Sequence, residues 1–484
     1  MKRIRLKKVI ACMAIISLLL QGGVAFSQTS MESSTEVGLQ NLSAFKMPHA
    51  NWNIVGKVIF GMDEKQMKVE KGNGILFHPA KQNNQDNLLT TKYFGDLELE
   101  FDFLLSAHSH LNVYLQGRYG IDLWDSWSKE NAKAGTSGGI YQGGTSVPSF
   151  RSPGVSVCRA PGLWQHVQIY FQAPKFTGGK KITDAKFVKV VYNDMVIHQD
   201  IILPTQNSFQ GIFKDESATG PILFTTSNNI GIRNIRVSPF GSDKDMAMAS
   251  VPKRRRPAPR PILLNPTNET IVQRCFIKYN GEKRTFCASV GDPSGIHYAL
   301  DMSQAEILNV WKGGFIDATT MWDDRGVIQL AEPTGSKIEM DAKPTFALLN
   351  NLEKEWPDSI DHSQNFSFKG YSLNEKGQPL FKYVFNGTLI EDNIVPENEQ
   401  FLTRTLLANT GEQTDKLWFL LGHGQQIEQI GRDLFSINNG QFYIKIHPGE
   451  SRNVHTRKGK NGDELIAQAV PAQNKLRLVY SIIW

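Results

Sequence analysis

Asp122 and Trp124 stand two apart in the stretch Tyr119-Gly-Ile-Asp-Leu-Trp-Asp125. In an extended chain, positions two apart share a face and lie about 6.6–6.8 Å from one another. Gly120, Asp122 and Trp124 then line one face, with Ile121 and Leu123 on the other. A carboxylate there can act as general acid or base, and an indole offers an apolar ring face that suits a pyranose. Trp127 is a second candidate platform. Asp125 has the opposite parity and needs a bend to join Asp122 as an orienter or ion ligand. The same residues also read as a turn with a capping Asp and two structural tryptophans. His108-Ser109-His110, if extended, presents both imidazoles on one face as a metal pair, or else is a polar loop; no third ligand is near in sequence. Glu98, Glu100 and Asp102 alternate as the polar face of a strand would. Trp311, Phe315, Trp322, Asp323, Asp324 and Arg325 could line a carbohydrate groove or equally form core and turns. No phosphate loop or His-Glu-x-x-His is found. No Cys-x-x-Cys-His is present for a c-type haem. Gly422-His423-Gly424 lacks the spacing of a dinucleotide site.

The elements that must position these residues are strands. LELEFDFLL (97–105), WQHVQIYFQA (164–173), FVKVVYNDMVIHQDI (187–201) and IGIRNIRVSPF (230–240) alternate or run as short β-rich stretches. So many strands with almost no amphipathic helix predict a β-sandwich over residues 46–241. A second all-β module is expected over 262–484, joined by a Pro/Arg-rich linker, 242–261. In RCFIKYNGEKRTFCASVG a hairpin with a three-residue loop, Asn280-Gly281-Glu282, sets Cys275 opposite Cys287. The pair is either a cross-strand disulfide or two buried thiols; Cys158 is left over and packed.

The chain has 484 residues and a formal charge of +6, of which five charges lie in residues 1–27 and five in 251–261, leaving the remainder at −4. The first group begins an apolar stretch that is too short to span a membrane and ends in small residues, so 1–27 reads as a signal peptide and 28–45 as a flexible leader. An exported protein, periplasmic or extracellular, is expected, with no transmembrane segment in its mature form. The basicity is confined to two segments, so nucleic acid is not an expected partner.

NVYLQGRY (112–119), DLWDS (122–126), GGIYQ (138–142), APGLWQHVQIYFQAPKF (160–176), VVYNDMVIHQD (190–200) and IGIRNIRV (230–237) together resemble the 3-keto-disaccharide hydrolase family, often labelled family 16 glycoside hydrolase-like. The resemblance implies a concanavalin-like jelly roll that holds sugar, and cleavage of a 3-keto glycoside by hydrolysis or by elimination and hydration. Asp125 matches the family's pattern; Asp122 and Asp125 are the catalytic candidates, and Gln116, Arg118, Trp124 and Trp127 the substrate-binding ones. A C3 ketone acidifies the C2 proton, so a base is needed, with a divalent metal ion or positioned donors facing the enolate oxygen. Three places differ from the family's pattern. Gly120 stands where a site Glu is usual, His110-Leu111-Asn112 replaces Asn-Ser-Gly, and Thr225-Thr226-Ser227-Asn228 replaces Gln-Asp-His-Gly. These differences leave open a non-catalytic glycan-binding or scaffold role. Residues 262–484 resemble an all-β module found beside such domains and in exported dehydrogenase or cytochrome proteins, which raises an exported sugar dehydrogenase as a partner.

Overall fold

Alternation along the chain decides which residues face inward. In Leu97–Leu105, Leu97, Leu99, Phe101 and Phe103 are buried while Glu98, Glu100 and Asp102 face the other way. Trp164–Gln172 repeats the pattern with Val167, Ile169 and Phe171 inside. Each such side chain contributes about 1.5–3 kcal/mol on burial. The computed structural model describes residues 35–46, 51–63, 67–80, 86–128, 136–142, 149–203, 212–213, 215–240, 260–323, 329–360, 366–411 and 414–484. The signal peptide, the first part of the leader and all of the linker except Arg260 and Pro261 lie outside the described residues, as do Asp324 and Arg325.

The strands of the first half are β1 (Thr35–Glu36), β2 (Asn53–Phe60), β3 (Met67–His78), β4 (Asp86–Leu89), β5 (Leu97–Leu105), β6 (His110–Leu115), β7 (Tyr119–Trp124), β8 (Gly139–Gln142), β9 (Ser149–Arg151), β10 (Trp164–Gln172), β11 (Lys175–Thr177), β12 (Lys180–Thr183), β13 (Ala185–Tyr192), β14 (Met195–Leu203), β15 (Leu223–Thr226) and β16 (Ile230–Pro239). Among the described residues they form an eight-stranded antiparallel sheet, in the order β14-β13-β10-β5-β16-β3-β2 with β1 on β16. A six-stranded sheet follows, in the order β4-β15-β6-β7-β8-β9. One core between the sheets holds Phe101, Phe103, Val113, Ile121, Leu123, Phe171, Phe187 and Phe224. This is the β-sandwich expected from the sequence.

The second half is also antiparallel β, with six-, four- and nine-stranded sheets among the described residues. Its helical content there is limited to Thr319–Trp322 and one short 3-10 turn. Among the described residues no helix is long and apolar enough to cross a membrane. The two halves belong to one compact unit. Tyr443 donates its hydroxyl to the carbonyls of Phe60 and Pro161, at 3.3 and 3.1 Å. Gly162 beside it must be glycine: its φ is +79°, and a Cβ would lie 2.2 Å from the Phe60 carbonyl oxygen.

The cysteine hairpin corrects one expectation. The strands Ile271–Tyr279 and Glu282–Gly291 pair Tyr279 with Glu282, so the loop is the two residues Asn280-Gly281, both with positive φ. That is the loop a tight hairpin favours. A bulge between Cys275 and Ile277 then restores the pairing of Cys275 with Cys287. Of the two alternatives the structure has buried free thiols and no disulfide: Cys275 Sγ turns to Ser289 Oγ at 3.3 Å. Cys158 is free and buried as well. Trp311 and Phe315 are core residues stacked at 6.0 Å, which removes them from any groove; Trp322 is exposed.

His297, 1% exposed, accepts a hydrogen bond from the Asp292 amide and holds the Gly313 carbonyl at 2.9 Å through Nε2. Burial lowers its pKa to about 4. In the unfolded chain an imidazole takes up its proton near pH 6.5. Between the two values the unfolded state binds more protons, so stability is present above pH 6.5 and is lost as pH falls toward 4. The expected loss is about 3 kcal/mol, at about 1.4 kcal/mol per pH unit. Urea unfolding from pH 7.5 to 4.5 should show it, and His297→Gln should flatten that part of the profile.

Candidate functional site

Strands β6 and β7 are buried on both faces, yet only one face is apolar. Leu111, Val113, Leu115, Ile121 and Leu123 enter the sandwich core. The opposite face carries Asn112, Tyr114, Asp122 and, from the neighbouring strands, Tyr141 and Thr225, all less than a tenth exposed. Register fixes the arrangement: Asn112 pairs with both Asp122 and Thr225, Tyr114 with both Gly120 and Leu223, and His110 with Trp124.

Among the described residues, three buried polar atoms on this face have no hydrogen-bond partner: Asp122 Oδ1, the Tyr114 hydroxyl and Thr225 Oγ1. Such groups are rare in folded proteins and each needs an explanation. Tyr141 donates its hydroxyl to Asn112 Oδ1 at 2.8 Å and stacks on Tyr114 with ring centroids 5.7 Å apart. Burial raises the pKa of both phenols, and the Asp122 carboxylate raises them further, so both stay protonated donors.

At the edge of this face His110 is half exposed. Its Nδ1 lies 3.5 Å from Asp122 Oδ1, within ion-pair range but long for a hydrogen bond. The imidazole stacks on Trp124, centroids 5.5 Å apart and planes within 5°. Its backbone is clamped: Thr226 Oγ1 donates to the His110 carbonyl at 2.6 Å, and the His110 amide donates to Asn228 Oδ1 at 3.0 Å. Two of the segments that differ from the family's pattern, His110-Leu111-Asn112 and Thr225–Asn228, therefore meet each other.

The third difference is filled rather than vacant. A Cβ on Gly120 would lie 2.5 Å from Tyr114 Cε1 and 2.7 Å from Tyr141 Cδ2. The tyrosine rings occupy the space that a Glu side chain at this position would need. Gly120→Glu, which would bring back the usual acid, should therefore cost stability. Overpacking of this kind is worth about 1–3 kcal/mol, and thermal unfolding would read it.

Of the other candidates the structure separates most from this face. Asp125 is a loop tie, accepting the amides of His108 at 2.9 Å and Trp127 at 3.2 Å. Trp127 donates Nε1 to the Trp484 carbonyl at 2.8 Å and packs on the second half. Gln116 and Arg118 lie at the far turn of the β6–β7 hairpin. Gln116 Nε2 donates to the carbonyls of Phe94 and Ala218, and Arg118 donates to those of Gln116 and Asp215. Both are held by backbone carbonyls. His108 has φ +57°, so the His108–His110 segment is not extended. Among the described residues no group of three or more His, Cys, Asp or Glu is placed to hold a metal ion. Glu98, Glu100 and Asp102 lie on the outer face of the eight-stranded sheet, beside Gln168, His166 and Arg233.

Sequence reasoning missed His110 as a partner of Asp122. The signal was available: pairing the β6–β7 hairpin about its turn sets His110 against Trp124, two pairs beyond Asn112 and Asp122 and so on the same face.

Comparison with known proteins bears on the same segment. No curated protein matches the chain. A protein of Parabacteroides distasonis named as a candidate glycosyl hydrolase is similar in structure at 16% identity and TM-score 0.29, over 46% of this chain and 97% of that one. The carbohydrate-binding module CBM66 of Bacillus subtilis shares 10% identity at TM-score 0.21, over 40% and 97%. The binding domain of botulinum neurotoxin serotype D shares 10% at TM-score 0.25, over 93% and 96%. As the resemblance in the sequence implied, residues 41–238 match the family of the 3-keto-alpha-glucoside-1,2-lyase-like domain.

Proposed function

We propose that the outer face of the six-stranded sheet binds a 3-keto glycoside, and that His110, oriented by Asp122, removes its C2 proton. The observation that carries this reading is the set of orphaned polar atoms, Asp122 Oδ1, the Tyr114 hydroxyl and Thr225 Oγ1, on one face beside His110. With Nδ1 turned to Asp122, the Nε2 lone pair of the imidazole is the base. The C2–H bond breaks, its proton goes to Nε2, and its electron pair moves onto the C3 oxygen as an enolate. The hydroxyls of Tyr114 and Thr225 are the donors available to that oxygen. When the enolate collapses, the C3 carbonyl re-forms, a C1–C2 double bond forms and the C1–O bond breaks. The leaving alkoxide takes the proton back from the imidazolium. Addition of water across the new double bond completes hydrolysis.

A ketone at C3 must come from an earlier oxidation, which gives an exported sugar dehydrogenase its place as a partner. Residues 1–27, as an export signal, would bring this protein to the same compartment. A second reading, glycan binding without turnover, is favoured by one observation: tyrosine rings stand where the family has a Glu.

The test is incubation with 3-keto-trehalose, with and without divalent metal, following glucose release. Cleavage that falls at least about a hundredfold in His110→Ala supports the enzyme. Binding without cleavage by the natural protein overturns it in favour of the second reading.

A further inference from the structure

The junction of the two halves contains a cleft of about 500 Å³ on the outer face of the eight-stranded sheet, away from the site above. That volume is within the range of small-molecule sites, which favour domain junctions. Both halves line it with polar groups: Lys57, Lys71 and Arg233 from the first, Gln426, Glu428 and Asn439 from the second.

Its charges do not cancel. Glu428 is taken by Lys57 at 2.6 Å, and Glu70, which also lines the cleft, by Lys68 at 2.7 Å. Lys71 has no ion-pair partner among the described residues. Arg233 is a prepared cation. Its guanidinium lies 3.9 Å from the centroid of the Trp164 ring, and only Nε is spent, on Asp102 Oδ2 at 3.2 Å. Asp102 is fixed in turn by His166 Nδ1 at 2.8 Å and Asn234 Nδ2 at 2.7 Å. The two terminal nitrogens of Arg233 make no hydrogen bond among the described residues, and a planar fork of this kind matches a carboxylate.

We propose that this cleft binds an acidic sugar, a pyranose bearing one carboxylate. The carboxylate lies against Arg233 and Lys71, and the ring hydroxyls meet the amides of Gln426 and Asn439. The site is separate from the face carrying Asp122 and does not depend on that face being catalytic.

The experiment is an NMR titration of the full chain with glucuronate, glucose and acetate as probes. Saturable glucuronate binding is expected, at least tenfold tighter than glucose or acetate. Arg233→Gln and Lys71→Met should each weaken it about tenfold, while Asp122→Asn leaves it unchanged. Lys71 is exposed, so its replacement does not threaten folding. Failure of glucuronate to saturate, equal binding of glucose, unchanged affinity in both cation variants, or loss of binding in Asp122→Asn would each overturn the proposal.

Discussion

Asp392→Ala should destabilise the protein by about 3–5 kcal/mol, the usual cost of leaving one member of a buried ion pair without the other. Asp392 is wholly buried on the nine-stranded sheet of the second half, diagonal to Arg404 on the neighbouring strand. The pair is bidentate, with Arg404 Nε 2.9 Å from Oδ1 and Nη2 2.7 Å from Oδ2. Arg404 also donates to the Ala305 carbonyl at 2.8 Å and to the Tyr480 hydroxyl at 3.3 Å. Removing the carboxylate strands a guanidinium among apolar neighbours, whereas Arg404→Met with Asp392→Leu removes both charges and should recover much of the loss. Guanidinium unfolding of the two single variants and the double variant measures this. A single-variant loss under 1 kcal/mol would contradict the assigned burial.

His110→Ala should reduce turnover of a 3-keto glucoside by about 10²–10⁴-fold, the range typical of a lost general base. Asp122→Asn should lose less if the amide still steadies the ring, because Asp122 acts on the substrate through His110. The half-exposed imidazole contributes little packing, so thermal stability of His110→Ala should stay near that of the natural protein. A turnover loss together with unchanged stability separates a chemical role from a structural one. Tyr114→Phe removes an orphaned hydroxyl without altering the ring stack, and should lower turnover while leaving stability unchanged or slightly improved.

The framework was legible because alternation is a local property. LELEFDFLL declares which residues go inside, and pairing with β10 and β16 follows. The site was legible only in part. Asp122 and Trp124 share a face as their spacing required, but that face is assembled from strands distant in sequence. Nothing within residues 119–125 announces that Tyr141 folds across Gly120, or that Thr226 and Asn228 clamp His110. Asp125 and Trp127 show the converse limit. Their residue types suit sugar chemistry, yet one is claimed by two backbone amides and the other by the carbonyl of Trp484. For Cys275 and Cys287 the pairing was foreseen through a three-residue loop, whereas a two-residue loop and a bulge produce it.

The central claim is that this face removes a proton from C2 of a 3-keto sugar. Its most direct measurement is proton NMR of methyl 3-keto-glucoside in deuterated buffer with the purified protein. The account predicts loss of the C2 proton signal, by exchange or by elimination, at a rate that falls at least about a hundredfold in His110→Ala. A C2 proton that persists with the natural protein as it does in buffer alone, or is lost equally fast with His110→Ala, would contradict it.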